Sequence, residues 1–184
     1  MIEEKNLIIE KPSSYCEYVN TLPDGNVHRI YHDNDYGFPI DSDNELFGRL
    51  ILEINQAGLS WTTILNKQDN FRKAFSNFNI QEIARYGDED IARLLSDAGI
   101  IRNKLKINAV IYNACKILEF QEEHGSFKNW LDSQPQMEIK EWVKLFKKHF
   151  KFTGGEITKE FLMSTGYLPG AHVESCPVFH QLKK

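Results

Sequence analysis

Two sets of side chains give this 184-residue chain its chemical possibilities. The first is a set of sulfur and imidazole donors. His172 and Cys176 are separated by three residues, so a loop or a single turn can point both at one ion. Cys16 and His32 would complete a four-ligand set. Thiolate and neutral imidazole are good Zn²⁺ ligands, and four of them close a tetrahedral structural site. Spacing supports only the C-terminal pair, because joining it to Cys16 and His32 requires the two chain ends to meet. Plain burial is the alternative. The three cysteines, Cys16, Cys115 and Cys176, make an odd count, which argues against a disulfide scaffold. Cys115 falls on the apolar face of a helical stretch and reads as core. Zinc, if bound, would staple terminal segments that have little core of their own.

The second set is one carboxylate among aromatic rings. Leu46, Phe47, Leu50, Ile51 and Ile54 recur at helical spacing, and Glu53 falls on or beside the face they define. Burying a carboxylate without a partner is costly, so this position asks for an explanation. A buried arginine or backbone donors could pair with it. Alternatively, Glu53 is aimed into a ligand pocket. Tyr31, Tyr36, Trp61 and Tyr18 are the rings that could wall such a pocket. Aromatic faces stack on a planar cation while a carboxylate fixes its edge.

The elements that must position these groups read as helices. Ser42 with Glu45 forms a capping box at the start of the Glu53 helix, and Gly58 supplies its C-terminal cap. Asp69 can cap a helix holding Phe71, Phe75 and Phe78. Asn79 can cap one through Ile80, Ile83 and Ala84, ending at Gly87, and Asp88 one through Ile91, Leu94 and Leu95. A helix then ends at Gly99, and Arg102-Asn103-Lys104 opens another that runs to Leu118. Its exposed N–H groups could hold a phosphate; ordinary αα-hairpins also use glycine. Ser126 or Asn129 starts a short piece with Phe127, Trp130 and Leu131, interrupted by Pro135. Ile139, Trp142, Val143, Phe146 and Phe150 form one stripe, and Glu156 to Thr165 a last helix. No stretch alternates as a strand would, so the class is mainly α. Residues 1–29 and 167–184 read as irregular, rich in Pro, Gly, Ser and Asn. Internal repeats are absent, and the length suits one compact unit over 1–184.

Bulk properties narrow the function. Hydrophobic content is 41% and charged content 26%, the balance of an ordinary globular protein. No apolar run approaches the ~20 residues of a membrane span, and the acidic N-terminus lacks the apolar core of a secretory signal, so cytoplasm is the expected location. Net charge is −4, which does not advertise a nucleic-acid partner. The distribution is uneven, however: residues 1–60 hold four basic against eleven acidic side chains, and residues 61–184 eighteen against fifteen. Lys144 to Lys151 contains four lysines and no acid, a run that usually marks a solvated helix face.

Several motifs in register carry a resemblance. Tyr31-His32-Asp33-Asn34-Asp35-Tyr36-Gly37, Gln56-Ala57-Gly58-Leu59-Ser60-Trp61, Ala98-Gly99-Ile100-Ile101-Arg102, Lys151-Phe152-x-Gly154 and His172-x-x-x-Cys176 occur in the order seen in the DNA-3-methyladenine glycosylase I family. The chain resembles that family from about Cys16 to Cys176. The resemblance implies a helix-hairpin-helix glycosylase fold, with a structural zinc held by Cys16, His32, His172 and Cys176 and joining the two termini. It implies hydrolysis of the N-glycosidic bond of 3-methyladenine in double-stranded alkylated DNA, leaving an abasic site, by a monomer. Glu53 would contact the edge of the flipped base as a recognition and electrostatic residue. Tyr31 and Trp61 would wall the pocket with Tyr36 and Tyr18. Leu59 would fill the vacated stack, and the hairpin with Gly99, Ile101, Arg102 and Lys104 would hold the phosphate backbone.

The sequence departs from the family pattern in places. Asp35-Tyr36 stands where Glu-Trp is common, and Tyr18 where Trp is. Ile54-Asn55-Gln56 replaces a small-Gln-Gln segment. Gly155 to Phe161 lacks the usual Thr-rich run and Tyr-Ser-Phe. Gly170-Ala171 replaces Asn-Asp, and the connection from Trp130 to Trp142 is shorter than usual. These differences motivate an alternative reading, a non-catalytic module that binds an alkylated base or DNA without cleaving it.

Overall fold

The computed structural model describes residues 12–182, and these are helical throughout, with no strand among them. The central helix is α3 (Asp43–Gln56). The earlier helices are α1 (Tyr15–Asn20) and α2 (Val27–Asn34). After α3 come α4 (Trp61–Leu65), α5 (Gln68–Ala74), a 3₁₀ turn (Ser76–Phe78), α6 (Ile80–Ile83) and α7 (Asp88–Ser96). The long α8 (Lys104–His124) is followed by α9 (Phe127–Asp132), α10 (Ile139–His149), α11 (Gly155–Ser164) and α12 (Pro177–Leu182).

Helix α3 has no solvent face along most of its length. Every residue from Leu46 to Asn55 is buried. A Cβ at Gly48 would come within 2.3 Å of the Phe78 ring, so glycine is what lets that ring lie against the helix. α4, α5, α6, α8, α9 and α11 all pack on it. A helix enclosed on all sides is a core element rather than a surface amphipath. Glu53 therefore does not merely lie on or beside one apolar face. It is one of several polar side chains taken inside, with Arg49 and Asn55.

The caps agree with the sequence in part. Ser42 Oγ accepts from the Glu45 N–H at 3.5 Å, but the reciprocal half of the capping box is missing. The Glu45 carboxylate instead takes both Arg72 guanidinium nitrogens, at 2.8 and 2.6 Å. Such a bidentate pair is stronger than a bond to one backbone N–H. Asn79 caps α6 through the Glu82 N–H at 3.0 Å, as expected, but that helix is only one turn long. Gly87, not Asp88, is the cap of α7, and Asp69 lies in the first turn of α5 rather than capping it. Phe78 lies beyond α5, in a turn whose residues Ser76, Asn77 and Phe78 all have positive φ. Asn103 caps α8, with its side chain accepting from Leu105 and Lys106 N–H groups at 3.0 and 3.2 Å. Cys115 is exposed on α8, not core, with its thiol 3.6 Å from the Ala84 carbonyl.

The terminal segments need a larger correction. Residues 12–29 and 167–182 are not simply irregular. α1 is capped by Ser14, whose Oγ accepts from Glu17 at 3.1 Å, and α2 by Asn26, which accepts from His28 at 2.9 Å. Pro177 opens α12 at the first helical position, where a missing N–H costs nothing. These helices have six to eight residues and bury few apolar side chains, so their periodicity is too short to read in sequence. Expectations for residues 1–11 and 183–184 lie outside the described residues. Cys16, Cys176 and Val178 form a small buried cluster, with Phe38, Phe179 and Leu182 packed against it. The larger core runs from α3 through α8 to α10 and α11, with Phe120 and Trp130 stacked at 4.1 Å.

Candidate functional site

The four sulfur and imidazole donors meet. Cys16 comes from α1, His32 from α2, and His172 and Cys176 from the segment before α12. All four are buried, and their ligand atoms lie within 4.8 Å of one another. The Sγ to imidazole-nitrogen distances are 3.7 Å for three pairs, and His172 Nδ1 lies 3.1 Å from His32 Nε2. A tetrahedral ion with bonds of about 2.0–2.3 Å needs edges of roughly 3.3–3.8 Å, so these residues can hold a metal ion. The outer contacts fit as well. His32 Nδ1 is 2.7 Å from Asp33 Oδ1, and His172 Nε2 is 2.7 Å from the Tyr36 carbonyl. Both acceptors call for an N–H on those nitrogens. Each therefore leaves a lone pair on the nitrogen that faces the cluster. Burial holds the His172 pKa below the ordinary imidazole value, favouring the neutral ligand form.

Next to this cluster lies a cavity of about 780 Å³, lined by Glu53, Tyr31, Tyr36, Trp61, Tyr15 and Glu160 among others. The Tyr31 and Tyr36 ring centroids are 5.6 Å apart, and those of Tyr31 and Trp61 are 5.3 Å apart. Tyr36 also contributes the carbonyl that holds His172. The cluster of sulfur and imidazole donors and the cavity wall thus share one residue, and an ion there would fix the wall in place.

Glu53 is 4% exposed. Burial pushes its pKa up to about 8, the nearby Arg49 charge pulls it down, and Glu160 adds to the rise. Arg49 is the buried arginine that could have paired with it, four residues earlier on the same helix. The guanidinium is used elsewhere: Nη1 donates to Tyr31 Oη at 3.0 Å and to the Ser164 carbonyl at 3.3 Å, and Nη2 lies 3.9 Å from Asp35. It also sits 4.9 Å above the Tyr31 ring. Arg49 therefore orients the Tyr31 wall and only tempers the charge of Glu53. The carboxylate is left facing the cavity.

Tyr18 is 36% exposed and does not line this cavity. Tyr15 takes that position. Its hydroxyl lies 2.9 Å from His28 Nδ1, and His28 Nε2 lies 2.8 Å from Thr62 Oγ1, so a three-residue chain fixes the ring. Helical geometry explains the exchange. Cys16 and Val19 define the inward side of α1. At about 100° per residue Tyr15 lies roughly 70° from that direction and Tyr18 roughly 130°. Glu160 was also missed. It follows the buried Ile157 by three residues and precedes buried Phe161, the same pattern that singled out Glu53.

The turn after α3 borders the cavity through Ala57 and Gly58, and Gly58 has φ of +81°. Leu59, at its tip, is 38% exposed. Lys106, from the first turn of α8, donates to the Asn55 and Ala57 carbonyls, both at 2.8 Å. This contact brings the start of α8 to the same end of the molecule as the cavity. Arg102 and Lys104 are exposed there, while Gly99 and Ile101 are half-buried. Lys67 donates to the Ala98 and Gly99 carbonyls at 2.9 and 3.2 Å, which shapes the turn between α7 and α8. A second cavity of about 770 Å³ opens between α9, α10 and α11. Of its two acids, Asp132 is already bound to Lys128 and to the Tyr167 hydroxyl, both at 2.7 Å, and Glu138 is exposed at the start of α10.

The profile of the methyladenine glycosylase family matches residues 23–180. The DNA-3-methyladenine glycosylase 1 of Escherichia coli (strain K12) is 36% identical over 180 residues, covering 88% of this chain and 94% of the relative. The DNA-3-methyladenine glycosylase of Haemophilus influenzae is 31% identical over 166 residues, covering 80% and 89%. A crystal structure of 3-methyladenine DNA glycosylase I superposes with a TM-score of 0.75 at 34% identity, covering 85% of this chain and 96% of that one. A variant of 3-methyladenine DNA glycosylase I in complex with 3-methyladenine superposes with a TM-score of 0.76 at 28% identity, covering 85% and 94%. On matches that span nearly the whole sequence, the chain belongs to the methyladenine glycosylase family.

Proposed function

We propose that this protein is a DNA repair glycosylase that hydrolyses the N-glycosidic bond of 3-methyladenine in alkylated DNA and leaves an abasic site. One observation carries the reading: a buried carboxylate, unpaired by its own arginine, faces an aromatic-walled cavity with room for an extruded base. A 3-methylated adenine in DNA is a cation. Its ring stacks on Tyr31, Trp61 and Tyr36 while Glu53 accepts from its edge and balances its charge. The C1′–N9 bond breaks with its electron pair going to the base, which becomes neutral. Water adds to C1′ and gives up a proton. The lesion is easily unstacked, so extrusion into the cavity is itself a source of selectivity. Glu53 acts in recognition and electrostatics at that base.

The remaining assignments extend the same reading. Leu59 is the wedge that fills the vacated stack, and the turn with Gly99, Ile101, Arg102 and Lys104 grips the backbone of double-stranded DNA in the manner of a helix-hairpin-helix. Two thiolates and two imidazoles make zinc the metal of choice, and a closed four-ligand set gives it a structural role. It joins α1 and α2 to the segment before α12. Residues 12–182 act as a single compact unit, and the protein as a monomer in the cytoplasm; no helix among the described residues is long and apolar enough to cross a membrane.

The test is base release from methylated duplex DNA by the purified chain, resolving 3-methyladenine from 7-methylguanine. The wild type should release 3-methyladenine, and Glu53→Gln should reduce the rate at least a hundredfold with its helical content unchanged. Tight binding of lesion DNA without release would support the non-catalytic module instead.

A further inference from the structure

The cavity contains more negative charge than the excision reading uses. Among its lining residues the ionisable acids are Glu53, Glu156 and Glu160, and no Lys, Arg or His lines it. Glu156 is exposed at the rim, and Glu160 is half-buried. Glu160 reaches the cavity from α11, across from Glu53 on α3. The Tyr36 hydroxyl donates to Glu160 Oε2 at 3.3 Å, so a ring of the base wall also orients this second carboxylate.

We propose that Glu160 is a specificity residue: oriented by Tyr36, it supplies the standing negative charge by which the cavity selects a purine cation over the neutral purine of the same shape. The inference rests on the base-excision reading above. Its physical basis is that two carboxylates lining one cavity resist ionising together. The fully enclosed Glu53 gives up its charge first, and burial and Glu160 both raise its pKa. Burial raises the Glu160 pKa too, and Glu156 adds to the rise, but Glu160 is less enclosed than Glu53, and neighbouring Lys159 and the Tyr36 hydroxyl oppose the shift. The empty cavity therefore holds its charge at Glu160. An entering cation lets Glu53 ionise as well, and a neutral base does not. The other groups facing Glu53 are Arg49 on its own helix, Tyr15 on α1, Tyr31 on α2, Tyr36 just after it, and Glu156 on α11. None of these supplies an enclosed negative charge at neutral pH.

The experiment uses the full chain with its metal. Two probes of one shape are titrated against intrinsic tryptophan fluorescence: the permanently charged 3,9-dimethyladeninium ion and neutral 9-methyladenine. Glu160→Gln keeps an acceptor for Tyr36 and removes the charge; Glu160→Asp keeps the charge. The cation-to-neutral affinity ratio should fall about tenfold in Glu160→Gln, a one-charge effect at several ångströms discounted for partial exposure, and should be largely restored in Glu160→Asp. The acid limb of 3-methyladenine release should also move to lower pH in Glu160→Gln, because Glu53 loses one influence that raises its pKa. An equal loss for both probes with an unmoved acid limb would mean that Glu160 only packs the wall, and would overturn the inference. An unchanged ratio would overturn it as well, while leaving base excision intact. Failure of the wild type to bind either probe or to release base would overturn the excision reading and this inference together.

Discussion

Replacing Glu53 with glutamine should make the protein more stable as it makes it inactive. Glu53 titrates near 4.5 in an unfolded chain and at about 8 in the folded one. Each tenfold displacement is worth about 1.4 kcal/mol. The charged form of this group therefore opposes folding by on the order of 5 kcal/mol once fully ionised. The sign follows from proton binding. Between pH 4.5 and 8 the folded state retains a proton that the unfolded state has lost, so stability declines as pH rises through this window. Below it the acid is neutral in both states. Glutamine has nearly the same shape and no proton to lose. The difference between Glu53→Gln and wild type should be close to zero at pH 4.5 and grow to about 4–5 kcal/mol in favour of the variant by pH 9, with other carboxylates cancelling in the comparison. Urea unfolding of both proteins at pH 4.5, 7 and 9 measures it through the midpoints at constant m. Parallel pH profiles would refute the argument, because they would mean that Glu53 is ionised and satisfied in the fold and pairs with Arg49 after all.

Two further outcomes follow from the same geometry. Cys176→Ser, or a strong chelator, should lower the melting temperature by 5 °C or more and weaken base binding, because an ion held by these four residues would tie α1, α2 and the segment before α12 together, and Tyr36 joins the cluster to the cavity wall; equal melting curves with and without chelator would remove the metal from the fold. Tyr15→Ala should weaken 3-methyladenine binding about tenfold while Tyr18→Ala changes it less than twofold, measured by fluorescence titration, and the reverse order would show that Tyr18 turns inward when base binds.

The residues themselves determined the class of protein and the chemistry it could do. Helical spacing marked α3, and a carboxylate among its apolar positions marked Glu53 without any knowledge of neighbours. The three-residue gap between His172 and Cys176 limited both to one turn. What periodicity could not carry was the structure of the short terminal helices. Six to eight residues provide too little repeat to distinguish a helix from a polar loop, and their stability comes from the contacts they make.

Only the tertiary structure decided which side chains meet. Cys16 and His172 are 156 positions apart in the chain, and no local rule brings them to 3.7 Å. The same holds for Arg49, whose choice of Tyr31, Ser164 and Asp35 over Glu53 depends on two other segments, α2 with its C-cap and α11. The choice of Tyr15 over Tyr18 depended on the rotation of α1, which its buried Cys16 and Val19 fix. Sequence spacing specifies which residues share a helix face. Where that face points is set by packing, and the charge that a buried carboxylate can hold is set by what packing leaves beside it.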